Sequence, residues 1–300
     1  MTDRWLEIDV FTRVAESGSF SRAAQELGLS RPSASRIVTG LERRLGVKLL
    51  LRTTRHIALT EASAAFLERA RQAAADLEDA EDAARGIDSL RGTVRLAVPV
   101  MYGTRAVIPA LSDFLEHYPE LRIEITMRDE PQNLITAGVD IAIRMGTLED
   151  STFGARQIAS VPRMLVASPA YLARKGVPES PEDLAFHDAL LHEQSFSEKS
   201  TLKLFKAGTT EVVTLRGRVR IDSASGMLAA ATAGLGIANV TTVMSAQERH
   251  DGSLVQLLPD YTLEPLKAFA VFPSGSKPSA KVRAVTAHLI AVLGNQQPEF

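Results

Sequence analysis

Along the first sixty positions, apolar residues recur at helical intervals and are punctuated by small residues that stop each run. Leu6, Val10 and Val14, with Phe11 and Ala15 beside them, predict an amphipathic helix over 5–16. Gly18 ends it. Ser19 is placed to cap a second helix in which Phe20, Ala23, Ala24 and Leu27 share a face, and Gly28 stops that helix. Ser30 caps a third, with Pro32 in its first turn, where a missing N–H costs nothing. Ala34, Ile37, Val38 and Leu41 form its buried side, and Leu45-Gly46 closes it.

The spacing carries more than three helices. A helix-turn-helix needs a small residue where its helices cross, supplied by Ala24, and a backbone able to take positive φ in the turn, supplied by Gly28. The positions of the third helix left for solvent are Arg31, Ser33, Ser35, Arg36 and Thr39. Short polar side chains with arginines in the N-terminal half suit a major groove, where arginine bonds guanine O6 and N7. The apolar–basic–apolar stretch Val47–Leu51, then Arg52-Thr53-Thr54-Arg55, then Ile57-Ala58-Leu59, predicts a two-stranded wing with a basic tip for phosphate contacts. Ser30 and Pro32 complete the expected DNA-binding set.

From Ala62 to about Gly86 no glycine or proline interrupts the chain. Phe66, Ala70, Ala73, Leu77, Ala80, Ala84 and Ile87 are spaced alternately four and three apart, a heptad seam that predicts a long helix pairing with a second copy. The competing reading is a helix lying on its own C-terminal domain. Asp88-Ser89-Leu90-Arg91-Gly92-Thr93 reads as a hinge. Beyond it, strand-like runs (Val94–Val98, Arg122–Met127, Val139–Ile143) alternate with helical patterns (Arg105–His117, Gln132–Ala137), the mark of a parallel sheet of βαβ units. A second set runs from Arg163–Ala167 through Asp222–Ala233. Lys267–Phe272 and the helix Ala280–Leu293 return to the first. Two α/β lobes joined by crossing strands make a cleft for a small molecule.

Charge sharpens the picture. The 300 residues carry a net charge of −2, yet residues 31–60 hold Arg31, Arg36, Arg43, Arg44, Lys48, Arg52 and Arg55 against one acid, Glu42. Residues 61–85 reverse this, with Glu61, Glu68, Asp76, Glu78, Asp79, Glu81 and Asp82 against Arg69, Arg71 and Arg85. A local basic block is what a phosphate-contacting surface requires. The absence of cysteine removes disulfides, Cys-ligated zinc and thiol redox sensing by this chain, and fits a reducing cytoplasm. No signal-peptide pattern and no run of about 18 apolar residues is present, so a cytoplasmic location away from membranes is expected.

The run from Phe11 to Thr60 resembles the signature of LysR-type transcriptional regulators. The matching residues are Gly18-Ser19-Phe20, Ala23-Ala24, Leu27-Gly28-Leu29-Ser30, Ser35-Arg36, Leu41-Glu42, Leu45-Gly46 and Arg52-Thr53; where relatives often have Phe-x-Arg or Leu-Asn-Arg entering the wing, this chain has Leu50-Leu51-Arg52. Val139–Arg144, Leu165–Leu172 and Gly234–Ala238 are similar to the effector half of the same family. The resemblance implies an N-terminal all-α winged helix-turn-helix (1–60), a linker and dimerisation helix (61–87), a hinge (88–92) and a two-lobed α/β domain like periplasmic binding proteins (93–300). Its first lobe is expected at about 93–162 and 266–300, its second at about 163–265. The resemblance further implies a homodimer or homotetramer that bends double-stranded promoter DNA, with RNA polymerase as a further partner and a small-molecule effector in place of any cofactor or metal. The effector contacts it implies are Val100, Met101, Tyr102 and Thr104 after the first strand, Arg128, Arg144, Met145 and Gly146, then Gln194, Ser195 and Phe196, and Ser223 and Ser225 at another helix start. Free N–H groups at the helix start after the first strand favour an anion. Many relatives place Ser or Thr right after that strand. With Val100 and Met101 in their place, a carboxylate there would rest on backbone N–H groups and Thr104, leaving room for a less polar or aromatic effector.

Two other classes are weighed against this reading, an enzyme and a solute-binding protein with an incidental helical N-terminal module. No G-x-S-x-G elbow, Walker loop or H-E-x-x-H motif occurs, and the six histidines lack metal spacing. Gly234-Leu235-Gly236 lacks the third glycine of a dinucleotide site. A transport protein would carry a signal peptide and no basic head.

Overall fold

A computed structural model describes residues 3–52, 57–85, 90–130, 138–148, 154–192, 199–272 and 278–294. Three helices come first: α1 (Arg4–Ser17), α2 (Phe20–Glu26) and α3 (Arg31–Leu45). Their ends are where the side chains dictate. Asp3, Ser19 and Ser30 each accept a hydrogen bond from a first-turn N–H, of Trp5, Arg22 and Ser33 respectively. Gly28 takes φ +64° between α2 and α3, a backbone conformation that a side chain would strain. Val10, Phe11, Val14, Ala23, Ala24, Ala34, Val38 and Leu41 close one buried core. Strands β1 (Leu50–Arg52) and β2 (Ile57–Leu59) then pair antiparallel, with Arg52 opposite Ile57.

Helix α4 runs from Glu61 to Arg85. Its start is not free for a partner. Leu67 and Ala70 are buried, and Phe66 stands edge-on to Phe11 with ring centroids 5.3 Å apart. The expected seven-position seam is therefore corrected at its beginning: Phe66, with the neighbouring Leu67, completes the chain's own three-helix core, because the helix must first dock the head that precedes it. Leu77 and Ala80 are exposed, while Ile87 lies outside the described residues.

The next part is built on a five-stranded sheet of order β4-β3-β5-β14-β6, from β3 (Gly92–Val98), β4 (Leu121–Met127), β5 (Ile141–Met145), β6 (Gly154–Val161) and β14 (Leu266–Phe272). β3 lies parallel to β4 and β5, but β14 runs antiparallel to both β5 and β6. The all-parallel expectation thus holds for three strands, since β14 enters from the opposite end after the chain has visited the second lobe. Between β3 and β4 the chain is helical: α5 (Val100–Tyr102), a wider π-type turn Gly103–Val107, α6 (Ile108–Ala110) and α7 (Ser112–His117). This begins earlier than the helix expected at Arg105–His117, because Pro99 already has the extended conformation of a cap. The helix expected at Gln132–Ala137 lies outside the described residues.

The second lobe holds β7 (Arg163–Ala167), α8 (Pro169–Lys175), β8 (Asp188–His192), β9 (Lys199–Lys206), β10 (Thr209–Ile221), α9 (Ala224–Thr232), β11 (Ala238–Thr241), α10 (Ala246–His250), β12 (Val255–Leu257) and β13 (Thr262–Leu263). They form two sheets, β13-β9-β10-β8 and β11-β7-β12. Gly217 on β10 lies so close to β8 that a Cβ there would overlap the Ala189 carbonyl oxygen. The chain crosses between lobes twice, at Pro162 and at Glu264-Pro265, and the crossings are tied by Arg163 Nε donating to the Glu264 carbonyl at 2.7 Å. One apolar cluster spans both sides of this junction, joining Leu96, Ile143 and Ala270 to Val166, Leu228 and Val240. Helix α11 (Ala280–Leu293) packs Val282, Val285 and Leu289 into it.

Candidate DNA-binding face and effector cleft

On α3 the head presents Arg31, Pro32 and Arg36 as exposed residues, with Ser33, Ser35 and Thr39 half-buried between them. They form one outward stripe because Ala34, Val38 and Leu41 take the opposite side into the core. Ser30 and Ser33 hydroxyls lie 2.9 Å apart, and Arg36 donates to Ser33 Oγ at 3.3 Å, so the guanidinium lies over the first turn. Thr39 Oγ1 donates back to the Ser35 carbonyl at 2.8 Å. Arg52 sits on β1 at the root of the wing, while Thr53, Thr54 and Arg55 lie outside the described residues.

The basic block is not uniformly available. Arg44 donates from Nε and Nη2 to Glu7 at 2.9 and 2.7 Å, which ties α3 to α1. Lys48 pairs with Glu42 at 2.8 Å. Glu42, the single acid of that block, is buried and also accepts the Leu49 and Leu50 N–H groups at 3.0 and 3.1 Å. Burial alone would raise its pKa; the Lys48 hydrogen bond and the two N–H groups outweigh that and hold it below the ordinary carboxylate value. Its role as the staple between α3 and the wing went unnoticed in the sequence. The visible signal was one acid among seven cations, immediately before the wing.

The expected effector residues gather at the C-terminal ends of β3 and β5, with gaps. Val100 opens α5, but its N–H already donates to Asp129 Oδ1 at 3.0 Å, and Thr104 Oγ1 donates to the Val100 carbonyl at 2.9 Å. The Val100 N–H and the Thr104 hydroxyl, two of the groups on which a bound carboxylate would have relied, are thus engaged by the chain itself. Met101 and Tyr102 face inward; Tyr102 is 1 % exposed, and burial pushes its phenol up to about 12. Arg128 is exposed, its N–H bonded to the Val98 carbonyl. Arg144 and Met145, half-buried on β5, pair with Phe269 and Ala268 of β14, and Gly146 donates to the Lys267 carbonyl at 2.8 Å. Ser223 caps α9 by accepting from Gly226 N–H at 3.3 Å, and Ser225 is exposed. Gln194, Ser195 and Phe196 lie outside the described residues. Two residues not expected from sequence, Arg105 and Glu248, form a 2.9 Å ion pair that joins the π-type turn of the first lobe to α10 of the second. Among the described residues no group of three or more His, Asp or Glu could hold a metal ion, and no helix is long and apolar enough to cross a membrane.

Two family models match this chain. Residues 5–64 match the bacterial regulatory helix-turn-helix protein, lysR family, and residues 88–294 match the LysR substrate binding domain. The chain belongs to the LysR family of transcriptional regulators. Among its relatives, the HTH-type transcriptional regulator CrgA of Neisseria meningitidis serogroup C is 33 % identical over 293 residues, 96 % of this chain and 97 % of that one. The solved structure of CrgA, a LysR-type regulator from Neisseria meningitidis, superposes with a TM-score of 0.55 at 30 % identity, covering 97 % of this chain and 99 % of that one. Full-length LysG of Corynebacterium glutamicum, solved with bound effector Arg, shares the fold at a TM-score of 0.61 and 17 % identity, over 96 % of this chain and 97 % of that one. The fold is therefore that of a LysR-type regulator, a helix-turn-helix joined to a two-lobed effector-binding domain.

Proposed function

We propose that the chain acts in the cytoplasm as a homodimer joined through α4, assembled further into a tetramer, that reads paired half-sites in promoter DNA and bends it. Ser30, Arg31, Pro32, Ser33, Ser35, Arg36 and Thr39 face the major groove, and Arg52, Thr53, Thr54 and Arg55 grip the phosphates beside it. The observation that carries this reading is the outward stripe of α3, polar and cationic along its first three turns and backed by a closed core. Leu77 and Ala80, exposed on α4, are the positions through which a second copy pairs. A two-fold dimer fixes the separation of the half-sites. Catalysis and a cofactor have no part in this reading, and RNA polymerase is the partner to which the bent complex passes its signal.

The effector enters the cleft between the lobes and contacts Arg128, Arg144, Met145, Gly146 and Thr104, with Val100 at its apolar wall, backed by the buried Met101 and Tyr102, and Gln194, Ser195, Phe196, Ser223 and Ser225 completing the site. The Asp129–Val100 hydrogen bond supports a less polar or aromatic molecule over one anchored by a carboxylate at that helix start. Such a molecule changes the DNA complex only by binding one arrangement of lobes better than the other.

Selection of bound fragments from a random duplex library, followed by titration with Arg36→Ala, tests the DNA half. Specific binding is expected to fall by about 1–3 kcal/mol if Arg36 reads a base. Unchanged affinity and unchanged sequence preference would remove α3 as the reading element. Thermal-shift screening of aromatic compounds against simple carboxylates tests the effector half.

A further inference from the structure

We propose that the outer face of the β9–β10 sheet in the second lobe is a second polyanion-binding surface, and that it takes the phosphate backbone of duplex DNA lying outside the operator. The proposal rests on the family's DNA-binding function and adds a surface that the helix-turn-helix does not include. Along β10 the exposed and covered positions alternate, and the exposed ones at its C-terminal half are Arg216, Arg218 and Arg220. The same face of the hairpin shows exposed Lys203 opposite Val212 and exposed Thr201 opposite Thr214. Its reverse is closed by Leu202, Leu204 and Leu215, which are buried in the lobe's core, so the register cannot slip without exposing them.

These charges are only partly matched within the fold. Like charges at alternate positions on one strand face repel each other. Asp188, opposite Arg216 on β8, is 3.2 Å from Lys175 and 4.0 Å from Arg218, one carboxylate shared among several cations, and exposed Asp222 follows just past the end of β10. The Arg218 side chain is 90 % exposed, so packing does not explain it either. Gly217 lies where the register of β10 against β8 shifts, between Arg216 and Val219, and permits the close approach of the two strands there.

The charge selects the partner. Three exposed arginines along one strand, with Lys203 and the hydroxyls of Thr201 and Thr214 on the same hairpin face, offer an elongated row of donors to the phosphate oxygens of a duplex. A protein already held on its operator presents this face to flanking DNA at high effective concentration, so weak contacts suffice.

The test is the salt dependence of full-length protein binding to two duplexes that carry the same selected binding site, about 20 and about 80 base pairs long, followed by fluorescence anisotropy. The variant Arg216→Gln/Arg218→Gln/Arg220→Gln is expected to flatten the slope of log K against log salt by about 2–3 on the long duplex and to leave the short one unchanged. The variant with lysine at the same three positions should keep the wild-type slope, which separates loss of charge from loss of structure. Equal slopes for wild type and the glutamine variant on both duplexes would overturn the proposal. Loss of poly-glutamate binding without any change on DNA would overturn it too, assigning the face to an acidic protein. Arg36→Ala weakens both duplexes alike, so a failure of the helix-turn-helix reading is distinguishable from a failure of this one.

Discussion

Glu16 on α1 reaches out of the DNA-reading head to Arg95 on β3, with Oε2 3.5 Å from the Arg95 guanidinium, while its Oε1 accepts from Arg71 Nε of the linker helix at 3.0 Å. One carboxylate thereby touches the head, the linker and the first lobe. The backbone at Gly138 presses on the same side chain, since a Cβ there would meet Glu16 Cδ at 3.1 Å. Arg95 in turn bonds Glu124 at 2.9 Å, and its N–H donates to Asp140 at 2.8 Å. Any movement of the first lobe relative to the head has to break this contact.

Glu16→Gln is expected to loosen the docking of head on lobe by about 1–2 kcal/mol, because two arginines lose a partly buried counter-charge. Spin labels placed on α1 and α11 report the distance between them. A broadened distribution in the variant is the expected outcome; an identical one would mean that the contact does not hold the two parts together.

Removing the wing staple has a different signature. Glu42→Gln gives up charge-assisted bonds to Lys48, Leu49 and Leu50 and should destabilise the head by about 2 kcal/mol. The native carboxylate has a lowered pKa, so its contribution is complete above the ordinary value of 4.5 and disappears as pH falls through the lowered one. Acid titration of stability should therefore be steeper for the wild type than for the variant. Matching titrations would show that Glu42 is not the group responsible.

His187 gives a pH dependence at a milder range. The Tyr171 hydroxyl accepts from the Asp188 N–H at 2.9 Å and lies 3.2 Å from His187 Nδ1, an arrangement in which a neutral ring is free to accept the phenol proton. Burial lowers the His187 pKa, against the pull of Asp183. Since the folded state binds the proton less readily than the unfolded state, the stability is full above the ordinary value of 6.5 and is lost as pH drops below it toward the lowered value. Melting temperature of the second lobe should fall over that window, and His187→Asn should flatten the fall. A variant as pH-sensitive as the parent would refute the assignment.

The Gly217→Ala substitution forces a methyl group into the Ala189 carbonyl, a clash between two backbones that no rotamer relieves. A loss of about 3 kcal/mol or more in the second lobe is expected, with the helical head untouched. Calorimetry resolves the two if they melt separately. A variant as stable as the parent would show that β8 and β10 can separate.

The helical head was legible because its determinants are local. Ser19, Gly28, Ser30 and Pro32 act within one turn of the chain, and their consequences are visible in the sequence without knowledge of the rest. The β9–β10 hairpin was missed, although Leu202 and Leu204 alternate with polar residues and Ala207-Gly208 supplies two positive φ values at the turn. Its alternation is masked by lysines and threonines on the outer face, whose role is set by what lies beyond the lobe. The seam on α4 was half legible: periodicity named the residues that leave solvent, but whether Phe66 meets a copy or meets Phe11 depends on tertiary packing. At the cleft, Asp129 escaped notice because its partner, Val100, is twenty-nine positions away and brought near only by the pairing of β3 with β4.

The paired crossings at Pro162 and Glu264-Pro265 restrict how the effector lobes can answer a bound molecule. A single connecting strand would let them twist, tilt and slide; two side by side, fastened by Arg163 and covered by a shared apolar cluster, leave rotation about one line as the soft motion. Arg105 and Glu248 tie the lobes at a further point by their 2.9 Å ion pair. A compound that fills the gap is then answered by a change in a single angle.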